Sequence, residues 1–314
     1  MDELEQIALD AKDPIKPFGQ IDTLLFYSLT ARKLRKFLAG KELAAKNWMP
    51  AGIPYLIKRG SKEPPLFVDE LADGVDAKFL SEKRKYHLNE VEARLSPLQK
   101  KIWNYFLPRK LNDFFYATNG EAPGKPIERL FIDLDRGEGV SSEDAQEVVK
   151  HFFDMIEESA ELKEVVGYKP SSLISWTGSS FHIYLFFKKP IPNSFYLEHF
   201  KCESKKKEVE PLTLAERWIE KLKKSTKAKV AGGHEKIKGT LTIDPSQTPS
   251  GKLCRVPLGS LHMKTAKEID GVSLPLKSEM LEEKDLVKQL NQYTPKKFLE
   301  EIDELAKRLP KEFI

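Results

Sequence analysis

The chain has 314 residues, of which 32% are charged, and a formal net charge of +4 at pH 7. This length can bury a sizeable core in one large or two unequal domains. The sequence has no apolar run of 18 residues, and residues 1–5 are acidic, so we expect neither a membrane span nor a signal peptide, and a cytoplasmic protein. Its two cysteines, Cys202 and Cys254, exclude a disulfide scaffold and a four-cysteine zinc site.

The positive charge is concentrated in one segment. Residues 201–238 contain twelve Lys or Arg and six Glu, which gives this segment a net charge of +6. Such a segment can neutralise phosphates and bind nucleic acid with an affinity that depends on salt. It can equally be the solvated face of a lysine-rich helix. Composition alone leaves both interpretations open.

The first half of the chain is predicted to be mostly helical and to end in a strand. Pro64 and Pro65 break any helix, and Ser96 with Pro97 is typical of an N-cap followed by the first helical turn. The predicted elements are, in order, a mixed and mostly helical region at 1–60, helices within 77–118, a loop rich in Gly and Pro at 119–126, and a strand at 130–135.

The second half mixes helices with strands. Ser141 opens a helix through a capping box, and Thr213 caps a basic helix. The predicted elements are, in order, a helix from 142 with one apolar face, strands at 173–176 and 181–187, the basic helix at about 212–225, strands at 241–244 and 253–256, and helices at about 280–293 and 295–308. This order predicts an α/β or α+β fold.

Three carboxylates at predicted strand ends indicate a metal site. Asp133 and Asp135 share one face of their strand at a separation of about 7 Å, while Ile132 and Leu134 point to the other face. Two like charges at this distance raise each other's pKa unless a positive charge lies between them. With Asp244 at the end of a later strand, they would form an oxygen-rich site suited to Mg²⁺ or Mn²⁺.

Simpler interpretations exist for these three aspartates and also for two other polar residues, His182 and Arg255. The two aspartates at 133 and 135 could face solvent at a strand end, and Asp244 with Pro245 could simply open a turn. His182 could be a buried histidine with satisfied hydrogen bonds, and Arg255 could pair with a carboxylate.

The order Asp133-x-Asp135, Ser180-x-His182 and then Asp244 resembles the three motifs of the archaeo-eukaryotic primase superfamily. Residues 113–120 are similar to the aromatic-Ser/Thr strand of primase small subunits. Residues 253–265 resemble the family's Arg-x-Pro-x-Ser-x-His-x-Lys-Thr stretch, and the whole resemblance covers about 80–270. A serine replaces the glycine that often precedes the histidine motif, and the family's zinc knuckle is missing. Both departures fit plasmid- or virus-encoded primase-polymerases better than the chromosomal subunit.

The resemblance implies a primase catalytic core with an RRM-like sheet, plus C-terminal helices. The corresponding domains are a primase-polymerase catalytic domain at 1–275 and a helical C-terminal segment at 276–314. Within the catalytic domain, residues 1–110 form a helical part and residues 111–275 the core that carries the motifs.

The resemblance also implies metal-dependent, template-directed nucleotidyl transfer that makes primers on single-stranded DNA for replication. Asp133, Asp135 and Asp244 would be catalytic as ligands of two Mg²⁺ or Mn²⁺ ions, and no zinc is expected. The residues expected to bind the incoming NTP or dNTP are Ser180, His182, Arg255, His262 and Lys264. A helicase, or further domains of a longer polypeptide, would be compatible partners.

Two other classes of protein remain as alternatives. A phosphohydrolase of the haloacid dehalogenase type also begins with a strand that ends in Asp-x-Asp, but it favours Thr or Val where this chain has Gly137. A nucleic-acid-binding module without activity is the other alternative, and the intact set of three aspartates argues against it.

Overall fold

The computed structural model describes residues 3–12, 15, 19–49, 52–62, 64–202 and 212–311. The described residues form two compact units. The first unit comprises Met1–Ala117, Arg255–Pro275 and Asn291–Ile314, and the second comprises Thr118–Cys254 and Leu276–Leu290. The division of the chain at residue 275 stays a prediction.

The elements of the first half begin with helices and continue with strands and short helices. They are α1 (Glu3–Asp10), α2 (Thr23–Leu34), β1 (Leu43–Trp48), β2 (Tyr55–Arg59), α3 (Val68–Asp73), α4 (Ala77–Lys85), α5 (Leu88–Val91), a 3₁₀ turn (Glu92–Arg94), α6 (Pro97–Tyr105), β3 (Asn112–Ala117), β4 (Ile127–Arg136) and α7 (Ser142–Glu157).

The second half contains most of the strands. Its elements are α8 (Ala160–Val166), β5 (Ser171–Trp176), β6 (Phe181–Ile191), α9 (Ser194–His199), α10 (Leu214–Ser225), β7 (Lys229–Gly232), β8 (Thr240–Asp244), β9 (Leu253–Arg255), β10 (Leu261–His262), β11 (Gly271–Val272), β12 (Leu274–Leu276), a 3₁₀ turn (Ser278–Glu282), α11 (Leu286–Leu290), α12 (Pro295–Glu300) and α13 (Ile302–Ala306). No helix in the described ranges is long and apolar enough to cross a lipid bilayer.

The first unit is built around a buried helix and a four-stranded sheet. Ten of the twelve residues of α2 are buried, and the Tyr27 hydroxyl donates a hydrogen bond of 2.5 Å to the carbonyl of Asn112 on β3. The sheet has the order β2-β1-β3-β9, and β1 is antiparallel to both β2 and β3. Of the residues of β9, Arg255 belongs to this unit. This pairing fixes β3 beside the helical core.

The prediction of a mostly helical region at 1–60 is wrong for β1 and β2, and the helical prediction at 77–118 is wrong for β3. Residues such as Ala44, Ala45 and Lys46 favour a helix locally. They form a strand because β1 lies between two partners, with Ala44 and Ala45 fully buried. Pairing with distant strands therefore overrides local preference here.

The C-terminal helices are shorter than predicted. The stretch at 280–293 is a 3₁₀ turn followed by α11, and both Leu281 and Leu286 are buried. Five residues advance a helix by a turn and about 140°, which places those two side chains on different faces. The stretch at 295–308 is divided at Glu301 into α12 and α13.

The sheet of the second unit places β4 between two antiparallel neighbours. Its order is β12-β5-β6-β4-β8-β7, and β7 runs parallel to β8. Strand β4 pairs with β6 and β8. Of the residues of β12, Leu276 belongs to this unit. Ile132 and Leu134 are at most 1% exposed, whereas the side chains of Asp133 and Asp135 are 27% and 25% exposed. The alternation predicted for this strand is therefore confirmed.

Helices α7 and α10 pack on this sheet and on each other. Phe152 of α7 contacts Trp218 of α10 with ring centroids 6.0 Å apart. The apolar face predicted for the helix after Ser141 is buried, and the caps predicted for α7 and α10, Ser141 and Thr213, accept hydrogen bonds from their helices.

Candidate functional site

Three neighbouring strands of the second unit bring four of the predicted residues to one face of the sheet. Asp133 pairs across β4 and β6 with His182, and across β4 and β8 with Asp244. Residues paired in this way point to the same face, with Cβ atoms about 5 Å apart. Asp135 lies on that face as well, paired with Thr242. The three predicted carboxylates therefore lie together.

His182 is held between Asp133 and an aromatic ring. Its Nε2 atom lies 3.1 Å from Asp133 Oδ1, and its ring meets the Phe131 ring edge-on with centroids 4.7 Å apart. The ring is buried, and among the described residues its Nδ1 atom has no hydrogen-bond partner. The Ser175 hydroxyl, on the residue paired with His182 across β5 and β6, also has no partner within the described ranges. The histidine therefore orients Asp133 through one nitrogen.

Asp135 has a raised pKa and a lysine partner. Burial is the main cause of the raised pKa, and the charge of Asp133 adds to it. Lys236 opposes this effect, because its Nζ atom lies 2.8 Å from Asp135 Oδ1. Burial and the charge of Asp133 together outweigh the opposing effects of Lys236 and His182 on this pKa.

Asp244 both ends β8 and forms a turn. Its Oδ1 accepts a 2.8 Å hydrogen bond from the Ser246 N–H, and its Oδ2 accepts one of 2.9 Å from the Ser246 hydroxyl. The simpler interpretation of Asp244 as a turn opener is thus part of what the structure shows. Each carboxylate oxygen can accept a second bond, so the turn is compatible with binding a cation.

Ser180 stabilises the turn between β5 and β6. Its backbone N–H donates to Thr177 Oγ1 at 2.9 Å, and its carbonyl accepts a 2.9 Å bond from the Thr177 N–H. Its hydroxyl donates to the backbone carbonyl of Leu134 on β4. The serine that departs from the family pattern therefore links the histidine motif to the strand that carries Asp133. Nucleotide binding by Ser180 remains a prediction.

The carboxylates fit a hard divalent cation in chemistry and in placement, although each side chain already has a neighbouring partner. Among the described residues, no three His, Cys, Asp or Glu side chains converge closely enough to hold an ion as they are oriented. Asp133 lies beside His182, Asp135 pairs with Lys236, and Asp244 accepts hydrogen bonds from Ser246. Strand pairing nevertheless places the three carboxylates on one face, and carboxylate oxygens are ligands that suit Mg²⁺ or Mn²⁺.

The other three predicted nucleotide-binding residues lie in the first unit. The Arg255 guanidinium donates bonds of 2.9 Å to Asp113 Oδ2, to the Ser260 hydroxyl and to the Leu261 carbonyl. The side chains of Arg255 and Asp113 are only 11% and 1% exposed. The simpler interpretation, that Arg255 pairs with a carboxylate, is what the structure shows, and its binding of a nucleotide remains a prediction.

His262 and Lys264 share Asp270. His262 Nδ1 lies 2.7 Å from Asp270 Oδ1, and Lys264 Nζ lies 3.4 Å from Oδ2. Burial alone would raise the pKa of Asp270, but the hydrogen bond and charge of His262, with help from Lys264, hold it below its ordinary value. The Lys264 side chain is 73% exposed, so its charge is the most accessible of the three predicted cationic groups.

The basic segment is only partly described, because 203–211 lies outside the described residues. The prediction for Lys205, Lys206 and Lys207 falls there. In α10, Leu214, Trp218 and Leu222 are buried. The exposed lysines of this helix and the following residues are Lys221, Lys223, Lys224, Lys227 and Lys229. An amphipathic helix therefore presents a basic face.

The sequence did not indicate three residues that form ion pairs with the predicted site residues. Asp113 lies within the aromatic segment at 113–120, but nothing in that pattern indicates its pairing with Arg255. Asp270 and Lys236 lack a motif of any kind, and no sequence signal distinguishes Lys236 from its neighbouring lysines. Asp113 and Lys236 contact residues that are far apart from them in the chain. The contact of Asp270 depends on the conformation of a loop.

No family model and no curated protein sequence matches the chain. Among solved structures, the polymerase domain of Mycobacterium tuberculosis ligase D, in complex with DNA, is similar over 93% of this chain and 94% of that chain, with a TM-score of 0.55 and 18% identity. The archaeo-eukaryotic primase domain of the cyanophage S-2L primase-polymerase aligns over 87% and 94% of the two chains, with a TM-score of 0.30 and 13% identity. The first likeness shows that the chain has the fold of this polymerase domain, and it confirms the predicted mixed α/β fold class. The second alignment is too weak to add to it.

Proposed function

We propose that this protein is a metal-dependent nucleotidyltransferase that acts on DNA. The observation that carries this proposal is the row formed by Asp133 and Asp244 on paired strands, with Asp135 on the same face. A fold likeness to a polymerase domain solved with DNA supports it. The specific activity that we propose is template-directed synthesis on single-stranded DNA, as a primase and polymerase.

The residues of the face have separate roles in this proposal. A divalent ion would supply activation of the 3′-hydroxyl and neutralisation of the triphosphate charge. Asp133, Asp135 and Asp244 would hold Mg²⁺ or Mn²⁺. His182, whose Nε2 lies beside Asp133, would contact a phosphate oxygen of the triphosphate.

Substrate contacts are assigned by the family pattern together with accessibility. Ser180 and His182 border the carboxylates, while Lys264 and His262 carry cationic or titratable groups of the first unit. Arg255 acts in this proposal by holding Asp113 as well as by its charge. Whether NTP or dNTP is used depends on sugar contacts, which a comparison of the two substrates would identify. A helicase or further domains of a longer polypeptide belong to the same proposal as partners on DNA.

One experiment separates this proposal from the phosphohydrolase alternative. Labelled primer on a single-stranded template is incubated with Mg²⁺ or Mn²⁺ and with NTPs or dNTPs, in parallel with a phosphatase assay on a generic phosphomonoester. We expect primer extension and no release of phosphate from the monoester. Phosphate release without extension would favour the phosphohydrolase, and binding to DNA without either activity would favour the inactive module.

The exposed lysines of α10 allow a prediction about template binding. Replacing Lys221, Lys223, Lys224 and Lys227 by Gln should weaken template affinity about equally for all sequences. The slope of log affinity against log salt should flatten by about 0.7 for each phosphate of a single strand that the variant no longer neutralises. Fluorescence anisotropy at several salt concentrations measures both quantities.

A matched control for this prediction has the same change of charge elsewhere in the second unit. The exposed residues for it are Lys163, Lys169, Lys188 and Lys189. This control variant should keep the wild-type salt slope. Equal slopes in all three proteins would assign the basic face of α10 to solvent.

A further inference from the structure

The segment between β7 and β8, residues 233–239, is anchored at both ends beside the carboxylate face. Gly233 N–H donates to the Ile243 carbonyl at 3.1 Å, and the Thr242 hydroxyl donates to the Glu235 carbonyl at 3.0 Å. At the other end, Gly239 N–H donates to the Glu138 carbonyl at 2.7 Å. The backbone around Lys236 is therefore fixed next to β4 and β8.

Gly137, at the end of β4, lets this segment approach closely. A Cβ atom at this position would lie 1.8 Å from the Ile237 carbonyl oxygen and 2.8 Å from that of Thr240. Any side chain larger than hydrogen would thus displace the segment. Gly137 occupies the position where a phosphohydrolase favours Thr or Val. In this structure a glycine is needed there because the Ile237 carbonyl, next to Lys236, packs against it.

Lys236 reaches from this fixed backbone to the carboxylate face. Its ammonium lies 2.8 Å from Asp135 Oδ1, yet its side chain is 64% exposed. Lys238, two residues later, points to Glu138 at 3.4 Å, and both of those side chains are 79% exposed. The two lysines of this segment therefore differ in their partners: Lys236 pairs with a predicted metal ligand and Lys238 does not.

We propose that Lys236 is a displaceable counter-ion that occupies Asp135 until a divalent ion takes its place. This inference rests on the metal site of the proposed function. An ammonium at hydrogen-bond distance neutralises one of two neighbouring carboxylates, so it offsets the repulsion between Asp133 and Asp135. Because the lysine is largely in water, leaving Asp135 costs little, as it does for surface ion pairs in general.

The consequence is a competition that can be measured without any activity assay. A divalent ion must displace Lys236 to use Asp135, so the lysine weakens the apparent affinity for the free ion. Surface ion pairs of this kind correspond to a factor of about two to five in an equilibrium constant. Arginine in place of Lys236 would retain the competing charge, whereas methionine would retain the length and lose the charge.

The test is direct titration with Mn²⁺, followed by electron paramagnetic resonance of the free ion, in the absence of nucleotide and DNA. We expect Lys236→Met to bind Mn²⁺ about two- to five-fold more tightly than the wild type. Lys236→Arg should be close to the wild type, and so should Lys238→Met, the control in the same segment. Equal or weaker binding by Lys236→Met would overturn the inference.

A further variant distinguishes failure of this inference from failure of the proposed metal site. Asp133→Asn should weaken Mn²⁺ binding strongly if the carboxylate face is the site. If Asp133→Asn loses binding while Lys236→Met equals the wild type, the metal site stands and the role of Lys236 is wrong. If Asp133→Asn binds as the wild type does, or if none of the proteins binds Mn²⁺, both the proposed site and the inference are overturned.

Discussion

Replacing Asp133 by Asn is expected to reduce primer extension to less than a tenth of the wild-type rate. Asp133 is the central residue of the row, since it pairs across the sheet with both His182 and Asp244. Asparagine keeps the shape and one oxygen but removes the charge that a divalent ion requires. Steady-state extension of a labelled primer with saturating Mg²⁺ or Mn²⁺ measures the effect.

Two controls make this result specific. The melting temperature of Asp133→Asn should stay near that of the wild type, because the substitution removes a repulsion with Asp135 and keeps a partner for His182. Glu138→Gln removes a carboxylate just beyond the same strand, paired with Lys238 in solvent, and should leave extension unchanged. Extension above about a tenth of wild type in Asp133→Asn would be incompatible with the assigned metal ligands.

Replacing Arg255 by Met is expected to lower the free energy of unfolding by about 3 kcal/mol or more. This change leaves Asp113, whose side chain is 1% exposed, without its closest cationic partner. Trp48 Nε1 still donates to it at 2.7 Å, and Lys46 lies 4.0 Å away, so the loss falls short of an entirely isolated buried charge. Urea unfolding, followed by fluorescence, measures the difference.

A second substitution identifies the cause of that loss. Combining Arg255→Met with Asp113→Asn removes both charges, so much of the stability should return, as when both partners of a buried ion pair are replaced. Lys264→Met, on an exposed side chain of the same family stretch, should unfold like the wild type. A loss below about 1 kcal/mol in Arg255→Met would mean that Asp113 does not depend on Arg255, and would favour a role confined to substrate.

The parts of this molecule that the sequence predicts well are those with a strong local pattern. Apolar and acidic residues alternate from Ile132 to Asp135, and this part of β4 has the predicted alternation of buried and partly exposed side chains. The helix after Ser141 has both a capping box and an apolar face, and it forms as predicted. The order of five short motifs predicted the α/β fold, and the likeness to the ligase D polymerase domain confirms it.

The parts that the sequence does not predict depend on contacts between distant residues. β1 contains Ala44, Ala45 and Lys46, whose local preference is helical, and only pairing with β2 and β3 makes it a strand. The carboxylates could be placed on one face, but which residues meet across β4, β6 and β8 follows from strand register. A shift of one residue would have moved Asp244 to the opposite face.

The ion pairs made by the predicted functional residues of each unit are the least predictable feature. Arg255 stands in a stretch that resembles a phosphate-binding pattern, yet its guanidinium contacts Asp113, which lies 142 residues earlier. The sequence does not distinguish Lys236 from the other lysines of the basic segment. The structure does, because the 233–239 loop places it beside Asp135. Both contacts arise from long-range packing, which neither charge patterning nor periodicity encodes.

Single-nucleotide incorporation on four templates tests the central claim most directly. The templates differ only in the first unpaired base, and each is offered the four nucleotides one at a time, as NTP and as dNTP, with Mg²⁺ or Mn²⁺. Template-directed nucleotidyl transfer predicts that the complementary nucleotide is added to each primer, and that chelation of the metal abolishes addition. No addition with either metal and either substrate class, or addition that ignores the template base, would contradict it.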